Sequence, residues 1–329
     1  MSDADLVLEG GGVKGIALVG AISVLMERGY QFKRVAGTSA GSIVGALVAA
    51  GLSRDELVST VTAIDYRKFQ DGPAWDDFAV GKMFELVAAH GIYHGSYLRS
   101  WLSDQLAAHG VRTFADLRYV DAERQLSPDR AYRLVVNVSD ISAGDLRQLP
   151  WDYQAHYERQ PAAELVVDAV RCSMSIPFFY EPVVMTDGAG VQHWIVDGGM
   201  LSNFPIDLFD SPPGSHPRWP TLGIKLSSKP DAVQQSVAND VHGVSSMSMA
   251  LLNTMTGFYD RMHISDPSVV DRTIFVDTGH VKSTDFNLST AVRDELFASG
   301  RSAATTFLDG GPGQRAWDWE LYKKTYRAD

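Results

Sequence analysis

Short apolar runs alternate along this chain with longer segments whose apolar positions recur every three or four residues. Leu6-Val7-Leu8, residues 34–37, Leu134-Val135-Val136-Asn137-Val138, Leu222-Gly223-Ile224-Lys225-Leu226 and Thr273-Ile274-Phe275-Val276 read as strands. Runs this short and this apolar, bounded by turn residues, fit strands buried on both faces. Residues 16–28, 97–108, 163–172 and 289–308 read as helices, and 241–262 as one more. Ser53-Arg54-Asp55-Glu56 is a capping box, and the helix over 97–108 is read with Ser96 as its cap and Gly110 as its stop. The alternation predicts an α/β fold, a mainly parallel central sheet covered by helices on both faces. No repeat or low-complexity tract interrupts it. One domain over residues 1–309 follows, and Gly310-Gly311-Pro312-Gly313 marks where a C-terminal tail, 310–329, leaves the core.

Composition narrows the class. A chain of 329 residues with 45% apolar and 21% charged residues has the make-up of a globular protein with a large core. The net charge of −11 argues against nucleic acid as a partner and against polybasic attraction to anionic lipid. A single cysteine excludes an intrachain disulfide and fits a reducing compartment. No basic or apolar leader precedes the first strand, and no apolar run reaches the roughly 18 residues of a membrane span. Cytoplasmic residence is the expectation.

The chemistry is concentrated in glycine-flanked turns. Gly37-Thr38-Ser39-Ala40-Gly41 is a Gly-x-Ser-x-Gly pentapeptide between an apolar strand and a helix of small residues, the setting that exposes a nucleophilic serine at a sharp turn. Just upstream, Gly10-Gly11-Gly12-Val13-Lys14-Gly15 follows the first strand and opens the first helix. Consecutive amides at a helix start form an anion-binding concavity, suited to the oxyanion of acyl transfer. The same glycines spell a dinucleotide fingerprint, but the next strand ends in Gly37-Thr38-Ser39 without the acid that would hold a ribose. Lys14 is followed by glycine, against a Walker-type phosphate loop.

A serine hydroxyl needs a base. Asp197, at the end of the apolar run Trp194-Ile195-Val196 and before Gly198-Gly199, is the candidate, since functional groups in parallel α/β sheets gather beyond the carboxyl ends of strands. Chain order also leaves His216, His242, His263 and His280 open. Two apolar regions bear on access. Residues 65–97, with Phe69, Trp75, Phe78, Met83 and Phe84, read either as a lid or as core. Met247, Met249, Leu251, Leu252, Met255 and Phe258 read either as an acyl channel or as the buried face of a helix.

These turns together resemble the patatin-like phospholipase family, in which a glycine-rich oxyanion loop, a Gly-x-Ser-x-Gly serine and an Asp-Gly-Gly aspartate act as a Ser-Asp dyad. A further stretch, Arg171-Cys172-Ser173-Met174-Ser175-Ile176-Pro177-Phe178-Phe179-Tyr180-Glu181-Pro182, is similar to the segment that precedes the family's aspartate strand, and Asn203 and Pro205 also fit. Lys14 stands where many relatives carry arginine, and Cys172 where a small residue is usual. The resemblance spans residues 5–210. It implies Ser39 and Asp197 as catalytic residues, Gly10, Gly11, Gly12 and Val13 as the oxyanion hole, and Lys14, Gly15, Gly37, Gly41, Gly198 and Gly199 as support. It implies a phospholipase A or lysophospholipase acting on lipid esters at a membrane or micelle surface, with no metal or cofactor. A generic esterase or thioesterase, or a partner-gated lipid-binding effector on the same fold, are the alternatives.

Overall fold

The computed structural model describes residues 2–72, 93–123, 126–212, 216–227, 254 and 266–327. Among the described residues eight strands form one sheet, with hydrogen-bonded neighbours in the order β5-β6-β3-β2-β1-β7-β8 and β4 also paired to β3. The strands are β1 (Ser2–Leu8), β2 (Tyr30–Thr38), β3 (Leu134–Asp140), β4 (Asp145–Leu149), β5 (Val183–Thr186), β6 (Gln192–Asp197), β7 (Thr221–Lys225) and β8 (Thr273–Phe275). β1, β2, β3, β7 and β8 are parallel to their neighbours in that block, whereas β4 and β6 run antiparallel to β3 and β5 antiparallel to β6. The apolar runs of the sequence are the parallel strands, and β3 and β7 are buried along their whole length.

Helices flank the sheet: α1 (Gly15–Glu27), α2 (Ala40–Ala49), α3 (Arg54–Thr62), α4 (Ser96–Ala108), α5 (Tyr153–Tyr157), α6 (Val166–Ser173), α7 (Pro267–Val270), α8 (Thr290–Asp309) and α9 (Trp319–Tyr326). α2 is buried from end to end and α1 from Gly15 to Leu25, as their nearly uniform apolar character demands. The capping box at Ser53 and Glu56 forms as read, starting α3.

Several elements differ from the reading. The cap of α4 is Gly95, not Ser96, and it has no side-chain bond of its own. The orphan amides are met from afar, by the Asp71 carboxylate accepting the N–H groups of Gly95 (2.7 Å) and Tyr97 (2.6 Å). The helix read over 163–172 starts at Val166, with a separate 3-10 turn over Pro161–Ala163. The tail read as leaving the core folds back instead. Trp317 N–H donates to Phe307 O (2.9 Å), Tyr322 is buried, and Arg327 is paired with Asp210 (2.7 Å). The helix read over 241–262 and its apolar residues lie outside the described residues, as do Trp75, Phe78, Met83 and Phe84. Phe69 is described and is 2% exposed, packed near Tyr66, Tyr97 and Trp101.

Candidate active site

β2 releases the chain at Thr38, and Ser39 caps α2 with φ 52° and ψ −126°. A side chain resists this left-handed backbone at a cost of about 1–3 kcal/mol, so the turn must be held from outside. Its amide donates to Ser173 Oγ (2.9 Å), and its carbonyl accepts from the Ser42 amide (2.8 Å) and hydroxyl (2.6 Å). The turn closes only on glycine: a Cβ on Gly37 would stand 2.3 Å from Gly41 O, and one on Gly41 2.5 Å from Leu8 O.

Strand register brings Asp197 to this turn. β4 occupies one edge of β3 along Val136–Asp140. β2, paired with residues 134–137, and β6, paired with 138–140, must therefore share the other edge, end to end. Thr38 lies opposite Asn137 and Asp197 opposite Val138, so the two strands run head-on into each other at consecutive positions of β3. The aspartate thus reaches the serine from an antiparallel strand. A parallel strand on the same stretch of β3 would have ended away from the serine turn. Gly198 makes the approach possible, since a Cβ there would be 2.4 Å from Asn137 O.

Asp197 is 5% exposed and Ser39 4%. Burial pushes the Asp197 carboxyl up to about 6, against the opposing pull of the Ser39 hydroxyl and the Gly199 amide. Oδ1 accepts the Gly199 N–H (2.7 Å), while Oδ2 is buried without a hydrogen-bond partner. The Ser39 hydroxyl bears on the carboxylate, yet its one hydrogen bond goes to Met174 Sδ (3.6 Å). Thioether sulfur is a weak acceptor, so Oδ2 is the stronger one within its neighbourhood.

The loop after β1 abuts the serine, with the Cβ position of Gly10 3.0 Å from Ser39 Cβ. Not all four donors read from sequence are available. Gly10 N–H is committed to Asn203 O (3.3 Å) and Val13 N–H to Ser283 O (3.1 Å). Among the described residues, no carbonyl accepts from the Gly11 or Gly12 amide. Gly12 has φ +56°, and a Cβ there would stand 1.9 Å from Ser283 O. Lys14 follows on, its ammonium pushed below the usual lysine range mainly by burial, with Glu9 opposing. Gly15 begins α1, and Gly198 and Gly199 form the 3-10 turn after Asp197.

Other residues enter the site that the sequence reading gave no role. Ser173 receives the Ser39 amide and donates to Asn137 O (2.7 Å), and Asn137 Nδ2 donates to Thr38 Oγ1 (3.1 Å). A polar residue inside the apolar run of β3 was the available signal for Asn137. Asn203 ties the glycine loop, its Nδ2 donating to Gly10 O (3.1 Å). Beside the serine turn, reached through Ala40 and Met174, a small apolar cavity of about 20 Å³ lies between α2, α3 and the 3-10 turn Tyr66–Phe69, walled by Ile43, Val44, Phe69, Ile176 and Tyr180. His216 and His280 are exposed, and His242 and His263 lie outside the described residues. Among the described residues no three His, Cys, Asp or Glu side chains group so as to hold a metal ion, and no helix is long and apolar enough to cross a membrane.

The model of the patatin-like phospholipase family matches residues 6–210. The Bacillus subtilis protein YqhO is 35% identical over 307 residues, covering 92% of this chain and 97% of that protein. A "probable lipid hydrolase", 463L of Invertebrate iridescent virus 6, is 22% identical over 62% of each chain. Among solved structures, VipD from Legionella pneumophila aligns at a TM-score of 0.49 and 17% identity, over 92% of this chain and 66% of that one. The chain belongs to the patatin-like phospholipase family.

Proposed function

We propose that this member of the patatin-like phospholipases is a serine lipid acyl hydrolase that works through Ser39 and Asp197. The observation that carries the reading is the head-on meeting of β2 and β6 on one edge of β3, which sets a strained serine against a buried carboxylate with one unpartnered oxygen. Ser39 Oγ attacks the ester carbonyl as its proton passes to Asp197 Oδ2. A carboxyl pushed up to about 6 is a far better base than a solvated one, and remains ionised at neutral pH. The amides of Gly11 and Gly12 hold the oxyanion. Collapse expels the alcohol or lysolipid, which takes the proton from Asp197. Water, deprotonated by Asp197, then releases the fatty acid.

The side chains beside the serine turn, among them Ile43, Val44, Phe69 and Ile176, are apolar, and that lining supports an apolar acid part of the ester, although the enclosed space of about 20 Å³ has room for only about one water until those side chains part. The lining favours lipid esters over a generic esterase or thioesterase substrate with a small polar acyl group. The test is mass spectrometry of a mixed phospholipid and lysophospholipid panel after incubation with the protein, with Ser39→Ala alongside and a fluorophosphonate probe reporting on the serine. Fatty acid and lysolipid released by the wild type alone are expected. A Ser39 that the probe does not label, with no product, would overturn the enzyme and favour a lipid-binding effector.

A further inference from the structure

Six large apolar side chains stand exposed among the described residues, and four of them belong to the β5–β6 hairpin, the turn that leads into it or the strand beside it: Phe178 (37% exposed), Val184 (42%), Ile141 (48%) and Val191 (55%). Register places them above the dyad. Ser175 O accepts the Asp197 amide (2.9 Å), and Val183 pairs with Ile195, so residues 176–182 climb from the level of Asp197 toward the free end of the β5–β6 hairpin. Val184 lies opposite Trp194, three residues before Asp197, or about 10 Å farther out at the usual strand rise. Ile141 continues the row, its amide donating to Trp194 O (3.0 Å). Because β6 takes over the edge of β3 where β2 stops, the hairpin stands beyond the serine turn, and Val191 closes its tip.

Phe178 is held outward, not left loose. It is one of three non-glycine residues with positive φ (+67°) among the described residues. On one side Ile176 walls the cavity. On the other, Phe179 turns in to stack on Phe286 at 5.4 Å, and Tyr180 OH donates to Phe69 O (3.1 Å). With Ile176, Pro177 and Phe179 half-buried, the strained turn leaves Phe178 as its most exposed side chain. Strain kept to expose an apolar ring calls for a function. β5 is the end strand of the described sheet and carries no charged residue in Val183–Thr186.

We propose that this rim, Phe178 with Val184 and Ile141 beside the tip at Val191, is where the protein rests on a neutral or zwitterionic lipid surface, delivering substrate to the cleft below. The inference rests on the acyl-hydrolase reading. Charge selects the surface: no lysine or arginine occurs between Arg171 and Arg218, while Glu181 and Asp187 flank the rim. Attraction to anionic lipid needs basic side chains, and the stretch that carries Phe178, Val184 and Val191 supplies none. Apolar burial is left as the driving force.

The test pairs vesicle flotation with hydrolysis. Wild type is compared with the double variant Phe178→Gly, Val184→Thr, in which glycine suits the left-handed turn and threonine keeps a β-branched strand residue. The wild type is expected to float with phosphatidylcholine vesicles, with no gain from added phosphatidylglycerol and no loss in high salt. The variant is expected to lose partition about tenfold or more, as removal of a buried ring implies, with vesicle hydrolysis falling in step. Turnover of a soluble short-chain ester and fluorophosphonate labelling of Ser39 should stay unchanged. Wild type that fails to float, variant that floats equally, or binding confined to phosphatidylglycerol and reversed by salt would each overturn the proposal. So would self-association through β5 without vesicle binding. Absence of soluble-ester turnover in the wild type would instead refute the hydrolase reading, because flotation is scored independently of it.

Discussion

Replacing Asp197 by asparagine should abolish turnover and make the protein more stable, by an amount that depends on pH. The native carboxyl is pushed from 3.8 up to about 6 by burial. A group that binds its proton more tightly in the folded state favours folding when protonated, so its contribution is present at low pH and is lost as pH rises through about 6. The two-unit rise corresponds to about 3 kcal/mol over the full window, with roughly half of it falling between about pH 8 and pH 5. Asparagine is isosteric, keeps an oxygen for the Gly199 amide and carries no charge to desolvate. Its advantage over the wild type should therefore be largest near pH 8 and shrink by about 1–2 kcal/mol at pH 5. Urea unfolding of both proteins at the two pH values measures this, and the difference between them cancels every other titrating group. A difference that does not change with pH, or an asparagine variant that is less stable at pH 8, would refute the idea that Asp197 is a desolvated base. Full turnover in the folded variant would refute its catalytic role and return the question to a histidine, although His216 and His280 are exposed.

The same carboxyl predicts that kcat/KM for a soluble ester rises with pH through about 6 and then levels, because only the ionised form accepts the serine proton; an acid limb near 4 would contradict it. Ser39→Gly should silence fluorophosphonate labelling yet raise stability by about 1 kcal/mol, since glycine relieves the φ of 52°; a destabilised variant in thermal unfolding would count against strain at the turn. Gly12→Ala should cost both stability and at least about a hundredfold in kcat/KM, because the methyl meets Ser283 O and the turn carries one of the two amides that no carbonyl claims among the described residues; near-normal kinetics would remove Gly12 from the oxyanion hole. Asp71→Ala should cost about 1–2 kcal/mol by uncapping α4, and unchanged denaturant midpoints would show that solvent replaces the cap.

The parallel strands were legible because burial on both faces leaves a continuous apolar run, as in β3 and β7. β4 was not, since Asp145-Leu146-Arg147-Gln148-Leu149 is half polar and becomes a strand only by pairing with β3. β5 is four residues long and owes its conformation to β6. α9 carries its own cap, Asp318 accepting from Leu321 N–H, but the contacts that dock it, Arg327 with Asp210 and Tyr322 OH with Ser268 O, come from distant parts of the chain. The same division runs through the candidate site. Glycine requirements at Gly37, Gly41 and Gly198 are local and left motifs in the sequence, whereas which amides of the glycine loop are already claimed was decided by Asn203 and Ser283, which take Gly10 and Val13. Most of all, no local pattern announces that β6 reverses direction. A parallel β6 would carry Asp197 away from the serine turn. The antiparallel one ends where β2 ends, so the direction of a six-residue strand decides whether the aspartate can serve Ser39 at all.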